Sequence, residues 1–301
     1  MHRIRYIKRS DLDVAKWDAC IDTAENGLIY ACSYYLDALC DNWDALVLGD
    51  YRAVMPLPWR RKWGITYVYP PPFIQQLGVF GFAPTAPLTQ PFLQQAQQHI
   101  RFGEYFLNYE NAPQRQQNTN LVIDLKHTYQ TICSHYKTDL RSNLKKAYKN
   151  DLCYESTTDF ATAVKTYQQL YSTKIGNIKE KEFNRFKQLC SLLQQKDMLC
   201  IRRVITSNNT LVSIALCLKD KSRLYFIASS TTEAGRKLKA NHYLVDRLLK
   251  EFATSGYLFD FEGSDLDGVQ HFYQNFGAVN QPYYFYRWNK LPWPVRLLKP
   301  S

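Results

Sequence analysis

Two carboxylates stand two residues apart at the end of an apolar run: Asp260 and Glu262, in the stretch FDFEGS. The run breaks at Gly263-Ser264 and resumes as helix-like sequence carrying Phe272 and Phe276. Along an extended segment side chains alternate, so the two acids share one face and Phe261 takes the other. Acids so placed can take up a proton, one of them orienting its partner. The same residues can also cap and solvate a turn, and their own letters favour that plainer role, so the neighbouring elements have to decide.

Other residues suit anion binding. In DLRSNLKKAYK, residues 139–149, Arg141, Lys145 and Lys149 recur at i, i+4 and i+8, while Leu140, Leu144, Ala147 and Tyr148 make a second helical face. The positive stripe suits phosphate or simply water. Gln75 and Gln76 follow three consecutive prolines on an apolar background, where they line a cleft or occupy an edge. Lys+Arg 38 against Asp+Glu 27 gives +11, which favours nucleic acid, nucleotide phosphates or lipid headgroups as partners without choosing among them.

Several chemistries are disfavoured. The six histidines form no His-x-x-x-His or His/Cys ligand set, so no metal site is expected. His242, close to a helix start, reads as a capping or surface residue. Gly-Lys-Ser/Thr after a glycine-rich turn is absent, and no nucleophilic Ser or Cys motif stands out. The eight cysteines lack a Cys-x-x-Cys pair and several fall in apolar periodic segments, as reduced thiols in a cytoplasm would. The N-terminal MHRIRYIKRSDL has no apolar core, and the run Leu211 to Leu218 is far shorter than a membrane span.

A chain of 301 residues with 46% hydrophobic content suits one large domain or two ordinary ones. Periodicity predicts a strand over 3–8, a helix from Asp11, and a second helix capped by Ser33. A hairpin follows over 45–57 with its turn at Gly49-Asp50, ended by Pro56 and Pro58. Next come a strand over 65–69, a helix opening at Gln90-Pro91, and strands over 104–109 and 120–125 joined as a hairpin by a polar loop. Helices are expected over 128–136, 139–149, 160–171 and 180–195. An antiparallel meander follows over 199–206, 210–219 and 223–229. The clearest helix, 240–252, precedes the strand that ends on Asp260, and a last strand spans 283–288.

In the second half, the order of RSNLKKAYKN, SIALCLKDKSRLYFIASS, the helix after Lys239, FDFEGS and HFYQNFGA resembles the FemAB-like branch of the GNAT acyltransferase superfamily. The resemblance implies an α+β fold of two GNAT-like lobes, each a mixed, largely antiparallel sheet flanked by helices. Its lobes would span 1–126 and 127–288, followed by a basic and apolar tail, 289–301. It implies transfer of an acyl or aminoacyl group from acyl-CoA or aminoacyl-tRNA to an amine, by direct attack and with no permanently bound cofactor. FDFEGS would then floor a cleft between the lobes. Glu262 would be the first candidate for proton handling, oriented by Asp260, with Tyr225 or Tyr284 as acid or substrate contact. Backbone groups from Tyr225 to Ser229 would meet the oxyanion. Arg141 and Lys145 would hold phosphates, with Gln75, Gln76, Asn241 and Ser264 as further substrate contacts.

One departure bears on the donor. GNAT members that bind acetyl-CoA open the helix after the meander with small residues, so that backbone N–H groups reach the pyrophosphate. Lys239 and Asn241 stand at those positions here. The charge and the tyrosines also suit a nucleic-acid-binding module, which coincides with the enzyme where tRNA is the donor. A degenerate, non-catalytic scaffold is the third alternative, and the tail KLPWPVRLLK suits peripheral contact with a membrane surface.

Overall fold

The computed structural model describes residues 3–82, 85–112, 116–171, 178–263 and 267–293. It divides into two compact units, residues 1–118 with 282–301 and residues 119–281. The first begins with β1 (Ile4–Lys8), α1 (Val14–Thr23), α2 (Ser33–Leu39), β2 (Trp43–Leu48), β3 (Ala53–Lys62) and β4 (Ile65–Val68). It continues through β5 (Phe80–Gly81), α3 (Ala86–His99), β6 (Phe102–Leu107) and β7 (Gln117–Asn118). The second opens with β8 (Leu121–Asp124), α4 (Tyr129–Ser134), α5 (Thr138–Ala147), β9 (Leu152–Thr157), α6 (Phe160–Tyr171) and α7 (Glu180–Gln195). Then follow the meander β10 (Leu199–Thr206), β11 (Leu211–Lys219) and β12 (Arg223–Thr231), and after it α8 (Glu233–Lys237), α9 (Ala240–Glu251), β13 (Leu258–Asp260), α10 (Asp267–Gln274) and β14 (Val279–Asn280). The last strand, β15 (Tyr283–Asn289), returns to the first unit.

Each unit holds a mixed, largely antiparallel sheet, as the two-lobe expectation requires. The first runs β1-β2-β3-β4-β6-β15-β7 with β5 on β3; the second runs β14-β8-β13-β12-β11-β10-β9. The expected lobe limits shift at both ends. β8, placed by sequence in the first lobe, pairs with β13 and β14, and β15, placed in the second, pairs with β6. β6 and β8 therefore belong to different sheets and are not two arms of a hairpin.

Two other expectations fail for local reasons. β3 runs through Pro56 and Pro58 to Lys62. Trp59 N–H bonds Asn42 O, so by alternation the nitrogens of residues 56 and 58 point to the opposite edge, where β5 covers only 53–54 and β4 only 59–62. The missing N–H groups thus have no ladder partner to fail. α3 starts one turn before Gln90, with Pro87 in its first turn and Pro91 inside it.

In the second unit, α9 buries Leu244, Val245, Leu248 and Leu249 completely against the sheet. Each such side chain contributes about 1.5–3 kcal/mol of burial. The same helix carries Asp246, fully buried, whose carboxylate accepts hydrogen bonds from Tyr129 (2.7 Å), Tyr136 (3.0 Å) and Tyr148 (2.6 Å). Burial and then this carboxylate raise the Tyr136 phenol's pKa. Three neutral donors from α4 and α5 and their flanks thereby fix both helices on α9.

Candidate active site

The parallel pairing of β12 with β13 stops at Tyr225 opposite Asp260, yet β12 continues to Thr231. Beyond that point the chain peels away from the sheet, and Asp260 fixes where. Its carboxylate, fully buried, forms an ion pair with Arg223, accepts from Asn120 Nδ2 at 3.2 Å, and accepts the backbone N–H of Glu262 at 2.8 Å. Arg223 also donates to Gln281 Oε1 at 2.9 Å. The bond to its own chain two residues on is an Asx-type turn, and Glu262 and Gly263 both take left-handed conformations there, φ 63° and 60°. A non-glycine residue in that region is costly and is held only where its surroundings enforce it.

β12 also carries an irregularity opposite Leu216 to Leu218. Thr232 N–H bonds Val212 O across the sheet, so by alternation the N–H group of Ser229, on the same side of the irregularity, faces the edge along which β13 no longer pairs. This strand edge opens onto a cavity of about 590 Å³. Its lining includes Phe226, Ile227 and Ser229 from β12, Phe261 to Gly263 after β13, Phe272 and Tyr273 from α10, and Arg236, Lys239, Asn241 and His242 around the start of α9. Every lining residue belongs to the second unit.

The chemistry of this lining is specific. Arg236 and Lys239 bring two cations beside one carboxylate, Glu262. Lys239 is the N-cap of α9 and is left-handed, φ 61°, the conformation that a small residue adopts cheaply at this turn. Asn241 follows in the first helical turn and accepts from Ser229 Oγ at 3.4 Å. His242 stands edge-on to the Phe272 ring, centroids 4.9 Å apart, and its buried Nδ1 has no hydrogen-bond partner. Burial, then the ammonium of Lys239, lowers the imidazole pKa to about 4, so the ring is neutral near pH 7.

A second cavity, of about 380 Å³, shares His242, Gly268 and Phe272 with the first. Its remaining lining is Asp139, Ser142, Asn143 and Lys146 on α5, with His271 and Asn275 from α10 and the residue after it.

Of the residues expected at a site, the structure brings Glu262 and Asn241 together on the larger cavity. Asp260 lies just beneath, holding the Glu262 backbone, with its own carboxylate already satisfied. Tyr225 is fully buried and donates to Asp220 Oδ2 at 2.5 Å, away from the cavity lining. Arg141 is committed elsewhere: its guanidinium donates to the carbonyls of Tyr136 (2.9 Å), Cys133 (2.7 Å) and Ser134 (3.1 Å), closing the end of α4. Lys145 is exposed and lines neither cavity, because the face of α5 that does so is one residue further round, at Lys146.

Gln75, Gln76 and Tyr284 belong to the first unit. Gln76 is fully buried, donates to Gln75 Oε1 at 2.7 Å, and the pair lines a cleft of only about 10 Å³, room for a single water. Tyr284 is a ladder residue of β15 opposite Leu107. Ser264 and residues 294–301 of the tail lie outside the described residues. Sequence reasoning missed His242, Arg236 and Lys146. The signal for His242 was its place in the first turn of α9, directly after a strand and a short helix that bring the turn back to the sheet.

Residues 134–272 match the family model of the acetyltransferase (GNAT) domain. No curated protein matches the chain in sequence. Among solved structures, FemX is similar over 98% of this chain and 99% of its own, with TM-score 0.69 at 10% identity. The C-terminal domain of a putative lysylphosphatidylglycerol synthetase from Agrobacterium fabrum covers 95% of this chain and 94% of its own, with TM-score 0.58 and 10% identity. The L-PGS structure from Bacillus licheniformis covers 85% and 87%, with TM-score 0.53 and 12% identity. At such identities the likeness is one of fold. No helix of the described residues is long and apolar enough to cross a membrane. Residues 134–272 thus match a GNAT-type acetyltransferase domain, within a chain whose fold, two mixed sheets flanked by helices, is that of FemX.

Proposed function

We propose that the second unit transfers an acyl or aminoacyl group from an activated donor, acyl-CoA or aminoacyl-tRNA, to an amine by direct attack. The observation that carries this is the parting of β12 from β13 over the larger cavity, which turns the Ser229 N–H group toward the cavity edge. An acyl carbonyl seated there has a donor for the negative charge that develops on its oxygen, and such a preorganised donor acts before any solvent has to reorganise. Arg236 and Lys239, with the first turn of α9, suit the donor's phosphates. Glu262 and His242 are the lining side chains suited to accept a proton from the incoming amine. Lys239, where acetyl-CoA-binding relatives carry a small residue, favours a donor whose phosphates do not need the closest backbone approach.

The test is a thermal-shift and product assay with acetyl-CoA and a charged tRNA as donors and a set of primary amines as acceptors. A ligand that binds only the folded chain raises the midpoint, and transfer gives an amide. If no donor shifts the midpoint and no amide forms, the proposal fails. Glu262→Gln is expected to lower turnover about tenfold, roughly 1.4 kcal/mol of barrier; turnover equal to wild type removes Glu262 from the reaction.

A further inference from the structure

Helices packed in a protein normally turn apolar stripes toward each other. α5 and α10 do otherwise around the smaller cavity. α5 presents Asp139, Ser142, Asn143 and Lys146, spaced i, i+3, i+4 and i+7, while its apolar residues Leu140, Leu144 and Ala147 are buried on another face. α10 and the residue after it present Gly268, His271, Phe272 and Asn275 at the same spacing. Two helical stripes, polar except at Phe272, therefore bound about 380 Å³ of open space. That space shares His242 with the larger cavity, and His242 is the titratable side chain common to both linings.

Resting on the acyl-transfer function proposed above, we propose that the channel between α5 and α10 admits the acceptor, a primary amine on a polar carrier, and that His242 takes its proton. The acceptor then meets the acyl carbon at the partition formed by His242 and Phe272. Glu262 lines only the larger cavity and not the channel.

The step balances without another reagent. The amine enters as its free base, and its lone pair forms the C–N bond while the carbonyl π pair moves to oxygen. One N–H proton passes to the unprotonated imidazole. As the carbonyl re-forms, the bond to the donor's oxygen or sulfur breaks, that atom keeps the pair, and the imidazolium returns the proton to it. A ring kept neutral by burial and by Lys239 is ready to accept the proton and, once charged, gives it up readily.

The test uses the full chain and ethanolamine as the probe amine. In NMR spectra the imidazole signals of His242 and His271 are assigned by their loss in His242→Asn and His271→Asn. Ethanolamine should shift both signals, coenzyme A should shift His242 without His271, and Ser142→Trp should abolish the ethanolamine shift while leaving the rest of the spectrum in place. Ethanolamine that moves neither signal at saturation overturns the channel. With whichever donor gives amide product, His242→Ala should lower kcat by about 100-fold, and added imidazole should restore part of it. Wild-type kcat in His242→Ala overturns the proton assignment. If ethanolamine shifts both signals but wild type acylates no amine from either donor, the channel stands as an amine site and the transferase function falls.

Discussion

The two units each contain a cavity of several hundred Å³, and their polar groups are in opposite states. The one in the first unit, about 670 Å³, is lined by Tyr6, Arg9, Asp37, Asp41, Asp44 and Trp59 among others. Its carboxylates already have donors. Asp44 accepts from Tyr6 Oη at 2.5 Å, Trp59 Nε1 at 2.8 Å and Arg9 N at 2.9 Å; Asp37 accepts from Arg9 and from Trp43 Nε1; Asp41 accepts from Arg60. In the second unit the buried Nδ1 of His242 has no hydrogen-bond partner and β12 runs on past the end of its pairing with β13. Volume is the same kind of quantity in both. Hydrogen-bonding capacity left unspent is what distinguishes a place for a ligand from a place between side chains.

That contrast can be broken at several points. The largest effect is expected at Asp260, the saturated carboxylate beside the unsaturated cavity: Asp260→Ala leaves Arg223 buried without its counter-charge and should cost about 3–5 kcal/mol, read as a lower denaturant midpoint for the second unit. A loss under 1 kcal/mol would mean that the ion pair does not hold the turn. Asp44→Ala, which strands three donors, should cost about 3 kcal/mol yet leave the kcat of acyl transfer unchanged; a fall in kcat would make the first cavity part of the reaction.

His242 sharpens the comparison through pH. Its folded-state pKa, about 4, lies below the ordinary 6.5, so the unfolded chain takes up a proton first as pH falls. Stability should therefore decline from pH 6.5 down to about 4 and level off below, once the folded ring also protonates. Subtracting the profile of His242→Asn should isolate this slope, and identical profiles would contradict it. The smallest effect is at the left-handed N-cap of α9. Lys239→Gly should gain about 1 kcal/mol, seen as a Tm rise of roughly 2–4 °C, and an unchanged or lower Tm would show that the lysine side chain offsets its own strain.

Much of the second unit was legible in sequence because its signals are local. α6 and α7 begin and end where periodicity places them, and the meander β10 to β12 follows from its turns within one or two residues. What failed depended on partners distant in the chain. β9, with its mixed pattern of exposure, is a strand because β10 pairs with it. Arg141 sat on a plausible phosphate-binding stripe, and only the placement of α4 shows that carbonyls occupy its guanidinium. The FDFEGS acids are visible together in the sequence, but their different placements, Asp260 inward and Glu262 on the cavity, depend on Arg223 and Asn120, neither of which is near them in sequence.

The return of β15 to the first sheet has a consequence for synthesis. A ribosome delivers β6 early, and the edge of β6 that β15 covers must wait until the whole of the second unit has emerged. During that interval an apolar strand edge is open to any neighbouring chain. The second unit meets no such delay, since all its strands are made consecutively between residues 119 and 281. The catalytic candidate is therefore the part of the nascent chain able to close its sheet first, and the first unit is the part whose yield depends on the last strand arriving.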